Sequence, residues 1–153
     1  MKTFKGYVRP DGQVGIRNHV VVMANAACST GVVDQIAKRL PEVVPLLHTY
    51  GCNYVGELKR WKTVQNGILS NPNIYGAIIV GVGCEDFDAR EVAEELRKRN
   101  GKPIVPLIVQ NVGGGQQVIA KAVDEAKKML ADAAKLERQE VPFSQLVFGT
   151  ECG

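Results

Sequence analysis

Four cysteines, the thiols with which this chain could bind a metal, each follow an apolar run. Cys28 closes "VVVMANAAC", Cys52 closes "VVPLLHTYGC", Cys84 closes "AIIVGVGC" and Cys152 closes "LVFGTEC". Thiolates are strong ligands for iron and zinc. A single free cysteine is more often a small buried hydrophobe, but the same position in all four favours a shared site.

Other ligand types stand beside two of these cysteines. His48 stands four residues before the second cysteine, and Glu85 and Asp86 follow Cys84. Imidazole, thiolate and carboxylate together suit a borderline metal such as iron or zinc. The chain has no paired C-x-x-C motif, so the metal signal is weaker than that of clustered cysteines. Cys28 lies just before a predicted helix, whose dipole favours the thiolate.

The composition limits the classes of protein. A chain of 153 residues with 45% hydrophobic and 23% charged residues is typical of one soluble globular domain. The net charge of +3 is too small to indicate a nucleic-acid partner. The apolar runs are too short to span a membrane, and "MKTFKGYVRP" is not a secretory signal. We therefore expect a cytoplasmic protein without a membrane partner, in which the thiols stay reduced.

Apolar runs of strand length alternate with segments of helical period. The runs are rich in Val and Ile and nearly continuous, which is typical of strands covered on both faces. Prolines separate helices from the strands that follow. The predicted strands are His19–Ala26, Val43–His48, Tyr75–Gly81, Ile104–Ile108 and Gln145–Gly149, and the predicted helices are Gly31–Leu40, Val55–Leu69, one that begins at an Asp88 N-cap, and Gly115–Arg138.

This alternation predicts an α/β fold: a three-layer, flavodoxin-like or Rossmann-like domain of about five mostly parallel strands with helices on both faces. We expect residues 1–18 to form a short N-terminal β arm around the turn Pro10-Asp11-Gly12, and residues 19–153 to form the α/β domain. The carboxyl ends of parallel strands meet at one edge of the sheet, where such proteins bind ligands. All four cysteines are therefore predicted to lie along that edge.

A run of glycines, "NVGGGQQ", precedes the long fourth helix. Backbone N–H groups at Gly113 and Gly114 could bind a carboxylate or a phosphate. A flexible strand-to-helix turn explains the same glycines, and a nucleotide-binding turn is a weaker third interpretation. The segment "GVGCED" lacks the third glycine of a dinucleotide-binding motif.

Six motifs, "GYVRPDGQVGIRN", "CSTGVVD", "HTYGC", "GVGCE", "IVQNVGG" and "GTECG", occur in this order. With them the chain resembles the altronate and galactarate dehydratases, whose relatives include the large subunit of sulfolactate sulfo-lyase. The resemblance covers essentially the whole chain. The resemblance implies that this chain is the first α/β domain of a longer chain and that it stops within the motif "GTECG". The implied partners of this domain are a C-terminal domain and a small N-terminal-type domain or subunit.

The resemblance implies dehydration of a small-molecule sugar acid to a 2-keto-3-deoxy acid, with a divalent metal, usually Fe²⁺, as cofactor. Such a reaction needs a base, a group that stabilises the enediolate charge, and an acid or Lewis acid that expels the hydroxyl. On the motif positions, the candidates are Cys52, Cys84, Cys152 and Cys28 as metal ligands, His48 and Glu85 as catalytic groups, and Gln110, Gly113 and Gly114 as substrate-binding groups.

The sequence also permits other interpretations. The domain could be a binding module that holds an iron–sulfur cluster or Zn²⁺ without catalysis of its own. The catalytic base could lie in another domain, so we expect the isolated domain to be inactive. The motifs do not discriminate among the acids, sulfolactate included, and the chain could form a homo-oligomer.

Overall fold

The computed structural model describes residues 2–51 and 58–153. In chain order its strands and helices are β1 (Thr3–Val8), β2 (Val14–Gly15), β3 (His19–Ala24), α1 (Thr30–Arg39), β4 (Val44–Leu46), α2 (Leu58–Ser70), β5 (Ile74–Gly81), α3 (Ala89–Asn100), β6 (Ile104–Ile108), α4 (Val109–Val112), α5 (Gly115–Ala134) and β7 (Gln139–Pro142). No helix in these two stretches combines the length and the apolarity that crossing a membrane requires.

Four of the strands form a parallel sheet in the order β4-β3-β5-β6. This order is that of the first four strands of a flavodoxin-like sheet. The four predicted strands before the last one are thus confirmed, although β3 and β4 end earlier than predicted. β4 lies at the edge of the sheet, where the missing N–H group of Pro45 is tolerated.

Helices cover both faces of the parallel sheet, as predicted. Side chains alternate along a strand, so Val20 and Val22 of β3 pack with α1 and α5, whereas Val21 and Met23 pack with α2 and α3. All four of these side chains are buried. This double coverage is why the strand sequences are apolar nearly throughout.

The N-terminal hairpin also forms. β1 pairs with β2 in antiparallel orientation, and Gly12 turns the chain with a φ of +82°. The Asp11 carboxylate accepts a hydrogen bond from the Gln13 N–H at 3.1 Å, which stabilises the turn.

The fifth predicted strand, Gln145–Gly149, is wrong. Residues 143–145 form a 3-10 turn, and residues 146–153 carry no regular element. The side chains of Val147 and Phe148 are 93% and 81% exposed, so this apolar run lacks the covering layer that a strand of the parallel sheet has. The chain instead supplies β7, which pairs antiparallel with β1 and completes a three-stranded sheet, β2-β1-β7.

The helices agree with the prediction in place and differ at their ends. α1 begins and ends one residue earlier than predicted, and α2 ends one residue later than predicted. α5 ends at Ala134 rather than Arg138. Asp88 is the N-cap of α3, as predicted. The predicted first turn of the second helix, residues 55–57, lies outside the described residues.

Candidate functional site

The loops that follow β3, β4, β5 and β6 share one end of the parallel sheet, which we call the carboxyl edge. It comprises residues 25–29, 47–51, 82–88 and 109–114. These loops carry the described members of the predicted site apart from Cys152, because every parallel strand runs toward the same edge. Cys52 lies outside the described residues.

Glu85 turns its carboxylate back onto the loop that carries it. Its Oε2 atom accepts hydrogen bonds from the backbone N–H groups of Gly83 at 2.6 Å and Cys84 at 3.0 Å. Both of its oxygens contact the N–H group of Val82, at 2.9 and 3.1 Å. The Asn25 amide donates to Oε1 at 3.2 Å. The carboxylate therefore organises the turn after β5.

These donors keep Glu85 ionised. Burial works to raise the pKa of the Glu85 carboxyl, but hydrogen bonds from the Gly83 backbone N–H and the Asn25 amide outweigh burial and lower it. A carboxylate with a lowered pKa is a weaker proton acceptor at neutral pH. Its contacts thus favour a positioning role over the predicted role as base.

Asn25 is a buried residue of this site that the sequence analysis missed. Its side chain is fully buried and donates to the Phe87 carbonyl at 2.9 Å as well as to Glu85. Its Oδ1 accepts a hydrogen bond at 3.1 Å from Gln65 of α2, which is also fully buried. The available signal was a single amide inside the apolar run "VVVMANAA", since a buried polar group needs partners.

Gln110 lies against the same turn. Its backbone N–H donates to the Val82 carbonyl at 3.1 Å, which joins the start of α4 to the end of β5. A Cβ atom on Gly83 would lie 2.7 Å from the Gln110 Oε1 atom, and one on Gly81 would collide with the Glu85 carboxylate. The two glycines of "GVGCE" therefore allow two side chains to approach the backbone closely.

His48 uses both of its ring nitrogens in local hydrogen bonds. The Tyr50 N–H donates to Nδ1 at 3.1 Å, so Nε2 carries the proton and donates to the Ala24 carbonyl at 2.7 Å. The ring also lies 4.2 Å from the Trp61 ring, centroid to centroid. In this arrangement neither nitrogen is free to bind a metal or accept a substrate proton.

The loop that carries Cys28 lies beside the segment that leads to Cys52. The Ala27 N–H donates to the Tyr50 carbonyl at 2.6 Å, and the Thr30 hydroxyl donates to the His48 carbonyl at 3.1 Å. Cys28 is exposed and free. These contacts join the loop of residues 25–29 and the start of α1 to residues 48–50 of the loop after β4.

Cys84 and Cys152 are also exposed and free, but only Cys84 lies on the carboxyl edge. Cys152 belongs to the irregular C-terminal segment, and its sulfur contacts the Gly153 carbonyl at 4.0 Å. The predicted position of Cys152 at the edge depends on a strand at residues 145–149, and that strand does not form. A ligand role for Cys152 now depends on the resemblance alone.

The described residues do not contain a complete metal site. Within residues 2–51 and 58–153, no three His, Cys, Asp or Glu side chains come close enough to hold one ion. Glu85 and His48 are engaged in local hydrogen bonds, whereas the thiols of Cys28 and Cys84 are exposed on this edge. This donor set does not fit a divalent metal by itself, because such sites take four or more ligands.

Gly113 and Gly114 lie where α4 ends and the twenty-residue helix α5 begins. Their φ angles of +101° and +119° favour glycine. The Gly114 N–H donates to the Val109 carbonyl at 2.9 Å, so it closes the preceding turn. The next N–H groups of α5 belong to the first helical turn, which has no backbone acceptor within its own helix.

A cleft beside the turn after β5 is small. It is lined by residues that include Gly83, Asp88, Arg90 and Asn111, and it encloses about 70 Å³. Small-molecule sites enclose roughly 300–1,000 Å³. This cleft is therefore too small to be a complete small-molecule site.

The fold and this edge define an α/β domain of the doubly wound class, with polar loops at the end of the sheet where domains of this class bind ligands. The chain belongs to the family described as "D-galactarate dehydratase/Altronate hydrolase, second domain", which matches residues 6–134. The match includes all of the carboxyl edge, and it confirms the resemblance found in the sequence.

Three relatives illustrate the family. Altronate dehydratase of Bacillus subtilis is 27% identical, over 99% of this chain and 32% of its own length. The beta subunit of (2R)-sulfolactate sulfo-lyase of Chromohalobacter salexigens is 30% identical, over 99% of this chain and 38% of its own. Galactarate dehydratase (L-threo-forming) of Escherichia coli is 30% identical, over 99% of this chain and 33% of its own length. The chain thus spans about a third of the length of these curated relatives.

Proposed function

We propose that this domain forms one wall of the active site of a hydro-lyase that dehydrates a sugar acid of the altronate or galactarate type to a 2-keto-3-deoxy acid. The observation that carries the proposal is the family match, because it covers the complete carboxyl edge. The dehydratase relatives align with nearly all of this chain, which supports the same reaction class. The reaction itself is carbon–oxygen bond cleavage next to the carbon that loses a proton.

The carboxyl edge supplies donors for an anionic substrate. The Gln110 side chain is exposed beside Gly83, and the backbone of Gly113 and Gly114 leads into the N-terminus of α5. A helix N-terminus attracts anions through its dipole and its free N–H groups. We assign the Gln110 side chain to the substrate carboxylate, together with the first-turn N–H groups of α5, which Gly113 and Gly114 lead into. The proton acceptor is then His48, after it leaves its hydrogen bonds, or a group of another domain.

A divalent metal, with Fe²⁺ first and Zn²⁺ or an iron–sulfur cluster as alternatives, remains part of the proposal. The described thiols of Cys28 and Cys84 would be two ligands, and Cys52 and Cys152 are the further candidates. Metal analysis of anaerobically prepared protein tests this part. Stoichiometric Fe supports it, whereas metal-free protein that nevertheless turns over the substrate contradicts it. Cluster absorption or stoichiometric Zn in an inactive protein supports the binding-module alternative.

The rest of the site comes from outside this domain. The small cleft and the coverage of about a third of the relatives' length both support this part of the proposal, in which further domains or subunits complete the pocket. One of the relatives is itself called a subunit. The 30% identity to that sulfo-lyase subunit also favours a second candidate reaction, elimination of sulfite from a sulfolactate.

The test is an anaerobic assay of the complete gene product, with its partner subunit if it has one, on altronate, galactarate and sulfolactate with added Fe²⁺. We expect one of the sugar acids to yield a 2-keto acid, and sulfite release from sulfolactate would instead select the second candidate. A folded, metal-loaded protein that acts on none of the three would overturn both.

A matched pair of variants tests the assignment of the edge. Gln110→Ala should raise KM about tenfold or more, since a charge-assisted hydrogen bond contributes about 1.5–3 kcal/mol. Gln139→Ala is the control, because Gln139 is an exposed amide on the antiparallel sheet. Equal effects of the two substitutions on KM would contradict the assignment of Gln110 to the substrate carboxylate.

A further inference from the structure

Three consecutive backbone N–H groups converge after β5. Those of Val82, Gly83 and Cys84 all point at one carboxylate, at distances between 2.6 and 3.1 Å. Successive N–H groups that face a common point form an anion-binding nest, a feature known from phosphate and carboxylate sites. Here the nest faces the side chain of Glu85, one residue beyond it.

The surroundings of the nest are built to hold a carboxylate. Asn25 is fully buried and adds a fourth donor, and Gln65 holds the Asn25 side chain from behind. Gly81 leaves room for the carboxylate, since a Cβ atom there would collide with Glu85 Oε1. Gly83 adopts a φ of +113°, which turns its N–H inward. None of the described contacts to this carboxylate comes from a cationic side chain.

We propose that residues 82–84 form a carboxylate-binding site that the chain fills with its own Glu85. The hydrogen bonds that define this site do not depend on which reaction the complete protein catalyses. Glu85 acts as a positioning residue: by occupying the nest it sets the backbone of Cys84, whose thiol is exposed on the carboxyl edge. In the wild-type chain an external carboxylate is excluded because the site is full.

Removal of the internal ligand should open the site. In Glu85→Ala the three N–H groups and Asn25 lose their acceptor, and the thermal unfolding midpoint should fall by several degrees. Formate fits the space that the side-chain carboxyl leaves. We expect 100 mM sodium formate to raise the midpoint of Glu85→Ala by about 2–4 °C more than 100 mM sodium chloride does.

The controls separate a specific site from a salt effect. Wild type and Glu94→Ala, a substitution of an exposed glutamate on α3 that pairs with Lys98, should show no difference between formate and chloride. Glu85→Gln should be destabilised and not rescued, because its amide fills the space and turns an N–H₂ group toward N–H donors. A formate effect of the same size in all four proteins would overturn the proposal.

Two further measurements distinguish positioning from mere stability. The alkylation rate of Cys84 should change in Glu85→Ala and return toward the wild-type value with formate but not with chloride. In the wild type, the amides of Gly83 and Cys84 should be protected from hydrogen exchange although both residues are exposed. The second measurement needs no variant to fold, and rapid exchange of both amides would by itself refute the nest.

Discussion

At the scale of single residues, Lys102 is a cation buried at the end of the sheet opposite the carboxyl edge. The residue is 3% exposed, and its ammonium group donates to the carbonyls of Leu69 at 3.2 Å and Asn71 at 2.5 Å. Burial, together with the positive charge of Arg9, lowers the pKa of Lys102 to about 8. The side chain closes the C-terminal end of α2 by binding carbonyls that have no partner within the helix.

This lowered pKa predicts a pH dependence of stability. Between about pH 8 and the model-peptide value of 10.5, the unfolded chain binds more protons at Lys102 than the folded chain does. The free energy of unfolding therefore rises with pH in that window. Relative to that of Lys102→Met, the free energy of unfolding of the wild type should rise by on the order of 1–2 kcal/mol from pH 7.5 to pH 10. Urea unfolding measures this change.

The control for this prediction is Lys38→Met. The Lys38 side chain is 65% exposed in an i,i+4 pair with Asp34. The difference in the free energy of unfolding between Lys38→Met and the wild type should stay nearly constant over the same pH range. A Lys102→Met difference that is equally constant would show that the buried ammonium group does not lose its proton in this window.

At the scale of elements, helix α3 is defined by signals at both of its ends. The Asp88 carboxylate accepts the Arg90 N–H at 2.8 Å and also binds the Arg90 guanidinium group. Gly101 ends the helix in the left-handed conformation with a φ of +66°. Such end signals are local, so the sequence predicted the start of this helix correctly.

Substitution of the N-cap should cost a small and predictable amount. Asp88→Ala should lower the free energy of unfolding by about 1 kcal/mol, whereas Asp88→Ser should lose less because a hydroxyl also caps the helix. Urea unfolding at neutral pH measures both. The Arg90 side chain lowers the pKa of Asp88. The difference in the free energy of unfolding between the wild type and Asp88→Ala should therefore shrink as acid protonates the carboxylate. A difference that is unchanged in acid would argue against the ionised cap.

The elements also show where sequence patterns fail. The four parallel strands were predicted because each is buried by helices on both faces, which leaves a continuous apolar run. The segment 145–149 has a similar composition, but it has no such cover and forms no strand. β7 was missed because it includes Gln139 and Glu140, and its pairing with β1 joins residues more than 130 positions apart. Composition within a short window does not contain that partner.

At the scale of the whole molecule, Arg9 joins the antiparallel sheet to the α/β layers. It follows β1 and is 5% exposed. Its Nε donates to the Pro72 carbonyl at 2.7 Å, and its Nη atoms donate to Asn18 Oδ1 at 2.8 Å and to the Arg17 carbonyl at 3.0 Å. Asn18 in turn donates to the Ala133 carbonyl at the end of α5 at 2.7 Å. The guanidinium group thus connects the end of β1 directly to Pro72 and, through Asn18, to the end of α5.

Loss of this connection should destabilise the whole fold. Arg9→Met should lower the free energy of unfolding by on the order of 2–3 kcal/mol, since two carbonyls and an amide oxygen in part-buried hydrogen bonds lose a charged donor. Arg9→Lys should recover little, because an ammonium group cannot reach the three acceptors in the planar geometry of a guanidinium group. Arg17→Met is the control, as Arg17 is exposed. Equal stability of the Arg9 and Arg17 variants would contradict this role.

The sequence by itself determined the class of the fold, the four parallel strands, the cap of α3 and the family. These depend on the alternation of apolar runs, on neighbours a few residues apart and on motif order. It also indicated that Cys28 and Cys84 follow strands of one parallel sheet, because parallel strands direct all their ends to one edge.

Only the tertiary structure decided what the polar groups of that edge do. Glu85 meets Asn25 across 60 positions and Asn25 meets Gln65 across 40, and His48 is held by the carbonyl of Ala24. These partners determine whether a carboxylate or an imidazole is free or engaged. They come together only when the sheet has formed, since a hydrogen bond depends on which groups meet in space and not on their spacing along the chain.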